Sequence, residues 1–237
     1  MSTVRSYGEL CGISRALDAV GERWAMLIVR ELMLGPRRFS DLRSALPASS
    51  NILTDRLNEL VARGVVRQVL RHDATRGRHL YELTEAGVAL VPVLVQLGDW
   101  GATYGTPSDD PRLTRLSPTS VLVYAKEHLD PESRLPSAVI HAVIDDHSWT
   151  LRARHGRLTV HTGRPDDQTT ELRTDAFTLD DVLHRRLTVD EAAARGSLVL
   201  VGDEDGARAV LAAVRPAGDS VVPDRTGAPL PDLPGTA

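Results

Sequence analysis

The sequence predicts an α+β chain of two modules: a helical module closed by a hairpin, then a module with a mainly antiparallel sheet. Three observations predict it. Trp24, Leu27, Ile28, Glu31 and Leu32 follow i, i+3, i+4, i+7, i+8, which places a mostly apolar face on one side of a helix. After Leu113 the pattern changes to strand-like alternation, as in Trp149-Thr-Leu-Arg-Ala-Arg154. Between the two lies Gly105-Thr-Pro-Ser-Asp-Asp-Pro-Arg112, polar and proline-bearing, which reads as a boundary. The expected division is residues 1–105, a linker at 106–116, a second module at 117–222 and an extended, proline-bearing tail at 223–237.

Each element follows from local chemistry. The helix that begins near Trp24 is stopped by Gly35-Pro36. Phe39-Ser-Asp-Leu-Arg-Ser-Ala-Leu46 forms a short second helix that Pro47 closes. A third helix begins at Ser49, an N-cap whose hydroxyl accepts from a free backbone N–H, buries Leu53, Leu57, Leu60 and Val61, and ends at Gly64. Strand-like runs at 65–70 and 79–83 flank the polar turn His72-Asp-Ala-Thr-Arg-Gly-Arg78. A helix over 84–104 has almost no polar face, so it needs burial on more than one side, and Pro92 should bend it or mark a weak point. Its extra face meets either a second copy of the chain or the chain's own second module, and a second copy is the expected partner. In the second module a helix near 119–128 precedes strands at 137–144, 148–154 and 157–162. Helices near 179–186 and 189–195, a strand at 198–201 and a closing helix near 204–214 follow. Strands first and helices later suggest an α+β layer.

Composition narrows the function. A chain of 237 residues exceeds the roughly hundred residues of one small winged module. The net charge of −4 is unevenly spread: residues 1–105 hold 13 arginines against 11 acids, whereas residues 106–237 hold 15 basic residues against 21 acids. A slightly basic module is joined to an acidic one, and phosphate contacts need only a local basic patch. One cysteine excludes an internal disulfide, and with no apolar signal region at the start the expected location is cytoplasmic, with no membrane partner. No metal-ligand spacing, nucleophile motif or phosphate-cradling glycine loop stands out, so neither an enzyme nor a cofactor is expected.

Three short helices and a basic hairpin in this order make a winged helix-turn-helix, a docking device for the major groove of duplex DNA. The first turns of its third helix read bases, which nominates Ser49, Ser50, Asn51, Thr54 and Asp55; Asn pairs with adenine and Thr meets a thymine methyl. Arg37, Arg38, Arg43, Arg56, Arg71, Arg76 and Arg78 could supply the basic patch for phosphate or the minor groove, against the plainer alternative of a solvated basic surface. Each half of an operator then meets one subunit of a homodimer, with Val91, Leu94, Leu97, Trp100 and Tyr104 as the expected dimer residues.

The run Gly21-Glu-Arg-Trp-Ala-Met-Leu-Ile28, with Cys11, Arg38-Phe39, Leu53-Thr-Asp-Arg-Leu57, Tyr81-Glu-Leu-Thr84 and Trp100-Gly101, resembles the HxlR-type transcription regulators, relatives of the MarR group. The resemblance implies dimerisation through terminal helices, and it gives Cys11 the place of a thiol that senses oxidants or electrophiles in some members. The alternative for Cys11 is a small buried residue beside Ile13, Leu17 and Val20. The family's wing carries a proline before its tyrosine; this chain reads Arg76-Gly-Arg-His-Leu80 there.

The second module, through Gly163-Arg-Pro-Asp166, Asp180-Asp-Val-Leu183, Leu187-Thr-Val-Asp-Glu-Ala192 and Gly196-Ser-Leu-Val-Leu-Val-Gly-Asp203, resembles the sterol carrier protein type-2-like fold. That resemblance implies an apolar tunnel, here lined by Trp149, Leu151, Val160 and Leu183, that takes an apolar or amphipathic small-molecule effector. The alternatives are a solid core that supports the dimer, or a lipid-carrier module whose neighbour does not bind DNA.

Overall fold

In the computed structural model, residues 6–72, 77–105, 114–168 and 170–216 are described, with the backbone alone for His72, Gly77 and Arg78. Arg76 and the expected tail at 223–237 lie outside the described residues, as does most of the expected linker.

The first module packs α1 (Gly12–Val20), α2 (Ala25–Leu32), α3 (Phe39–Ala45) and α4 (Ser50–Ala62) against a hairpin of β1 (Val66–His72) and β2 (Gly77–Leu83). Gly35, at φ 124, and Gly64, at φ 71, turn the chain out of α2 and α4 in conformations that residues with a Cβ rarely adopt. Ile28, Val29, Leu32, Leu42, Leu46, Leu53, Leu57 and Leu60 form one core with Val65 and Val66. Val61, expected inside, is 40% exposed, because it stands one helical step beyond the Leu53–Leu57–Leu60 stripe. The hairpin pairs antiparallel from Val66↔Leu83 to His72↔Gly77, longer at its tip than the apolar pattern indicates. Arg37 adds a one-residue third strand: its N–H donates to Tyr81 O at 2.9 Å, and Tyr81 N–H donates back to Arg37 O at 2.8 Å.

The single helix expected over 84–104 is two helices, α5 (Glu85–Val88) and α6 (Val91–Tyr104). Pro92 sits in the first turn of α6, where its missing N–H has no intrahelical partner to lose. The 20 residues Glu85–Tyr104 reach the length and mean hydropathy of a membrane span. Little of this segment is buried in the fold; on one side Asp99 Oδ1 lies 2.8 Å from His128 Nε2.

The second module begins with α7 (Pro118–Glu127). Its sheet is formed by β3 (Ala138–Ile144), β4 (His147–Arg154), β5 (Arg157–Thr162), β6 (Thr170–Thr174) and β7 (Leu198–Gly202), in the order β5-β4-β3-β6-β7. β3 and β6 are parallel and every other pair is antiparallel. β6 was not expected: Thr-Glu-Leu-Arg-Thr carries one apolar side chain, and the strand is held by neighbours on both edges, with Thr170 and Leu172 turned inward. Three further helices are α8 (Ala176–Leu183), α9 (Val189–Ala194) and α10 (Glu204–Ala212). α8 starts three residues before the expected position because Asp175 caps it, accepting from Thr178 N–H at 2.8 Å. Trp149, Leu151 and Ala153 of β4 face the helices and lie in one core with Leu122, Ile140, Leu172 and Leu179. The opposite face carries a polar row in which His141 Nε2 meets Ser148 Oγ at 2.6 Å and its Nδ1 lies 3.5 Å from the Glu171 carboxylate.

The two modules meet along a buried polar seam. Met33 and Leu34, at the end of α2, pack into the second module's core. Glu31, 1% exposed, accepts from Arg30 Nη2 at 2.6 Å and from Ser117 Oγ at 2.7 Å. Arg37, 7% exposed, donates from Nη2 to Thr119 Oγ1 at 2.9 Å, and its guanidinium stands 5.7 Å from the Trp149 ring centre. Burial pulls the Arg37 guanidinium below its ordinary range, and the Glu31 and Asp41 carboxylates offset part of that pull. An arginine remains charged under such a shift, so the seam encloses real charge.

Candidate nucleic-acid interface

The N-terminal turns of α4 present a polar surface on a rigid helix. Ser49 caps the helix, with its side chain accepting from Ile52 N–H at 3.4 Å. Ser49, Ser50, Asn51, Thr54 and Asp55 are all exposed, while Leu53, Leu57 and Leu60 anchor the opposite side. Thr54 Oγ1 donates to Ser50 O at 2.8 Å, which uses the hydroxyl's one proton. These residues form one patch at the end of the helix that a major groove admits.

The arginines divide. Arg38 is exposed, and its backbone N–H donates to Asp41 Oδ2 at 3.1 Å at the start of α3. Arg37, expected as a phosphate contact, is not at the surface: it faces the second module and is buried against Thr119 and Trp149. Arg56 is also drawn inward, between Glu59 one turn on and Glu22 at 3.4 Å, so its charge is met by two carboxylates. In the hairpin, Arg71 stands directly opposite Arg78 in register. Arg71 Nη2 lies 4.0 Å from the Glu82 carboxylate. Arg67, beside them, is paired with Glu82 at 2.6 Å. The register that sets Arg71 against Arg78 is a property of the folded hairpin.

The α6 face is apolar and open. Leu97, Trp100 and Tyr104 are exposed, and the Trp100 and Tyr104 rings are 6.0 Å apart. Val91 and Leu94 are half-buried, and Leu94 packs onto the first module's own core. Leu10, Ile13 and Leu17 at α1 are exposed as well. An apolar surface of this kind marks an interaction site more often than free solvent. Cys11 is exposed at the start of α1, not packed beside Ile13 and Leu17.

Trp149, Leu151, Val160 and Leu183 are brought together in the second module's core, each at most 4% exposed. Trp149 also borders an opening between the modules. Among the described residues, no group of three or more His, Cys, Asp or Glu side chains is placed to hold a metal ion.

The first module is similar in sequence to known proteins. Residues 19–109 match the family described as HxlR-like helix-turn-helix. The HTH-type transcriptional regulator YvaP of Bacillus subtilis (strain 168) is 38% identical over 105 residues, which make up 44% of this chain and 96% of YvaP. The HTH-type transcriptional regulator MT3179 of Mycobacterium tuberculosis (strain CDC 1551 / Oshkosh) is 39% identical over 127 residues, 54% of this chain and 75% of that protein. Among solved structures, the redox regulator HypR in its oxidized form is 30% identical, with a TM-score of 0.38 over 41% of this chain and all of that one. With a relative matched at 38% identity over almost its whole length, and with the family's segment spanning α2 through α6, the chain belongs to the HxlR-like helix-turn-helix family of transcriptional regulators.

Proposed function

We propose that the protein is a homodimeric regulator that reads a two-fold operator with the first turns of α4, steadies itself on phosphate with the β1–β2 hairpin, and takes an effector signal through its second module. The observation that carries this reading is the exposed row Ser50, Asn51, Thr54 and Asp55 on a helix whose other face is fixed by Leu53, Leu57 and Leu60. The open apolar face of α6 supports a second copy of the chain as partner. The sterol-carrier-like reading of the second module draws support from its capping residues. Gly163 and Gly196 turn at positive φ, Thr188 and Glu191 form a capping box, and Asp203 caps α10.

Asn51→Ala and Thr54→Ala are each expected to lower discrimination between operator and scrambled duplex by about 1–3 kcal/mol, with the fold unchanged. Titration of both duplexes, beginning with DNA upstream of the protein's own gene, checks it. An unchanged ratio in both variants would remove α4 as the reader.

A second reading, thiol sensing, is favoured by one observation. The backbone N–H groups of Ser14 and Ile13 at the start of α1 hold the exposed Cys11 thiol below its ordinary value. A lowered value means more thiolate at neutral pH, so the rate of iodoacetamide modification should reach half its maximum below the pH of about 8.5 typical of a free cysteine. A midpoint at or above that pH would leave Cys11 an ordinary surface thiol.

A further inference from the structure

We propose that the opening between the two modules is a binding site for a compact organic carboxylate with an aromatic or alicyclic body, and that this ligand is the effector. The site is a cavity of about 370 Å³ at the seam, at the small end of ligand pockets. Its walls include Trp24, Leu27, Leu46 and Leu116, with Arg37 and Trp149 among them.

On two residues of this wall, the buried donors Arg37 Nε and Trp149 Nε1 have no partner among the described residues. Their residues are 7% and 1% exposed. Both groups can only donate, so whatever satisfies them must bring acceptor oxygens. The charges on the wall favour an anion. Arg30, Arg37 and Arg115 face Glu31 and Asp145, an excess of one cation among the arginines and carboxylates there. The two acids are already engaged, Glu31 by Arg30 and Ser117, and Asp145 by the Ala176 N–H at 3.4 Å. A planar carboxylate supplies two acceptors and one negative charge, the geometry a guanidinium edge accepts best. The aromatic and aliphatic wall suits the remainder of such a ligand, and the volume favours a ring system over a long acyl chain.

The position also couples the ligand to DNA. Arg37 exchanges both backbone hydrogen bonds with Tyr81 at the base of the hairpin and directly precedes Arg38, the residue that caps α3. A ligand held by the Arg37 side chain therefore sets the backbone that joins wing, α3 and second module. It alters operator affinity if it fits the DNA-competent arrangement and the incompetent one unequally. This effector role rests on the operator-binding function proposed above; the binding step does not.

The test is calorimetry on the full chain with 2-naphthoate, its uncharged counterpart 2-naphthamide, and myristate. Saturable binding of 2-naphthoate at one per chain is expected, at least tenfold tighter than the amide or myristate. Trp149→Phe keeps the ring and removes the N–H; Leu27→Trp fills the partly exposed rim without touching the buried donors. Each is expected to weaken 2-naphthoate at least tenfold, and the rim variant keeps the test valid if the core variant fails to fold. No saturable binding of 2-naphthoate, equal binding of acid and amide, tighter binding of myristate, or unchanged binding in the folded rim variant would overturn the site. In gel shifts with wild-type protein, 2-naphthoate is expected to move operator affinity at least about fivefold. Binding with no such change would overturn the effector role, whereas a protein that binds 2-naphthoate but no duplex at all would instead count against the operator-binding function.

Discussion

Replacing Glu31 by alanine is expected to lower the unfolding free energy by about 3–5 kcal/mol, the cost of stripping a buried charge network of its anion. Glu31 is 1% exposed and is the acceptor for Arg30 and Ser117, with the buried Arg37 guanidinium close enough to feel its charge. Without it, the Arg37 charge remains enclosed and less well compensated. A loss of that size is a large part of the roughly 5–15 kcal/mol of an ordinary domain. It should appear in urea unfolding as a lower midpoint, and the two modules should separate into distinct transitions because the seam is what joins them. Glu31→Gln, which keeps an acceptor for Ser117, is expected to lose less. A change below about 1 kcal/mol in the alanine variant would mean that the seam is solvated and that the modules are only tethered.

Leu97→Glu is expected to convert the proposed dimer to monomer. Leu97 is 51% exposed on the open face of α6, so the glutamate is solvated in the monomer and unpaired only when a second copy covers it. The fold should therefore survive. Leu94 is less suited to this test, since it packs on the first module's own core and a charge there would disturb both. Light scattering reads the mass, and operator affinity should fall by about 100-fold or more as the two half-sites lose their linkage. A folded variant that stays dimeric would move the interface to the second module.

Much of the first module was legible because each helix carries its own stop. Gly35-Pro36, Pro47 and Gly64 punctuate apolar stripes that a reader can place within a residue or two. The alternation of β4 was legible for the same reason, with Trp149, Leu151 and Ala153 on one face. β6 was hidden because a strand between two neighbours can be held by its backbone while its side chains stay polar. The exposed polar face of α4 follows from helical periodicity alone. Arg37 was misassigned because an arginine in a turn after a helix reads as surface, and only the tertiary fold brings Thr119 and Trp149 over it. One signal was available: Glu31, a charge within an apolar stripe, required a buried partner, and Arg37 follows it closely on the far side of the Gly35-Pro36 turn. That Ser117 bonds Glu31 and Thr119 bonds Arg37, each more than eighty positions on, is not a local property of the sequence.

Whether the first turns of α4 lie in the major groove of a two-fold site is directly measurable, because the protein has a single cysteine. In a Cys11→Ser background, Asn51→Cys carries an iron chelate that cleaves the DNA strands it faces. The account predicts two clusters of cuts on bound operator DNA, centred about one helical turn, or a multiple of it, apart. Cuts spread evenly along the bound duplex, or their absence from DNA that the labelled protein demonstrably occupies, would contradict it.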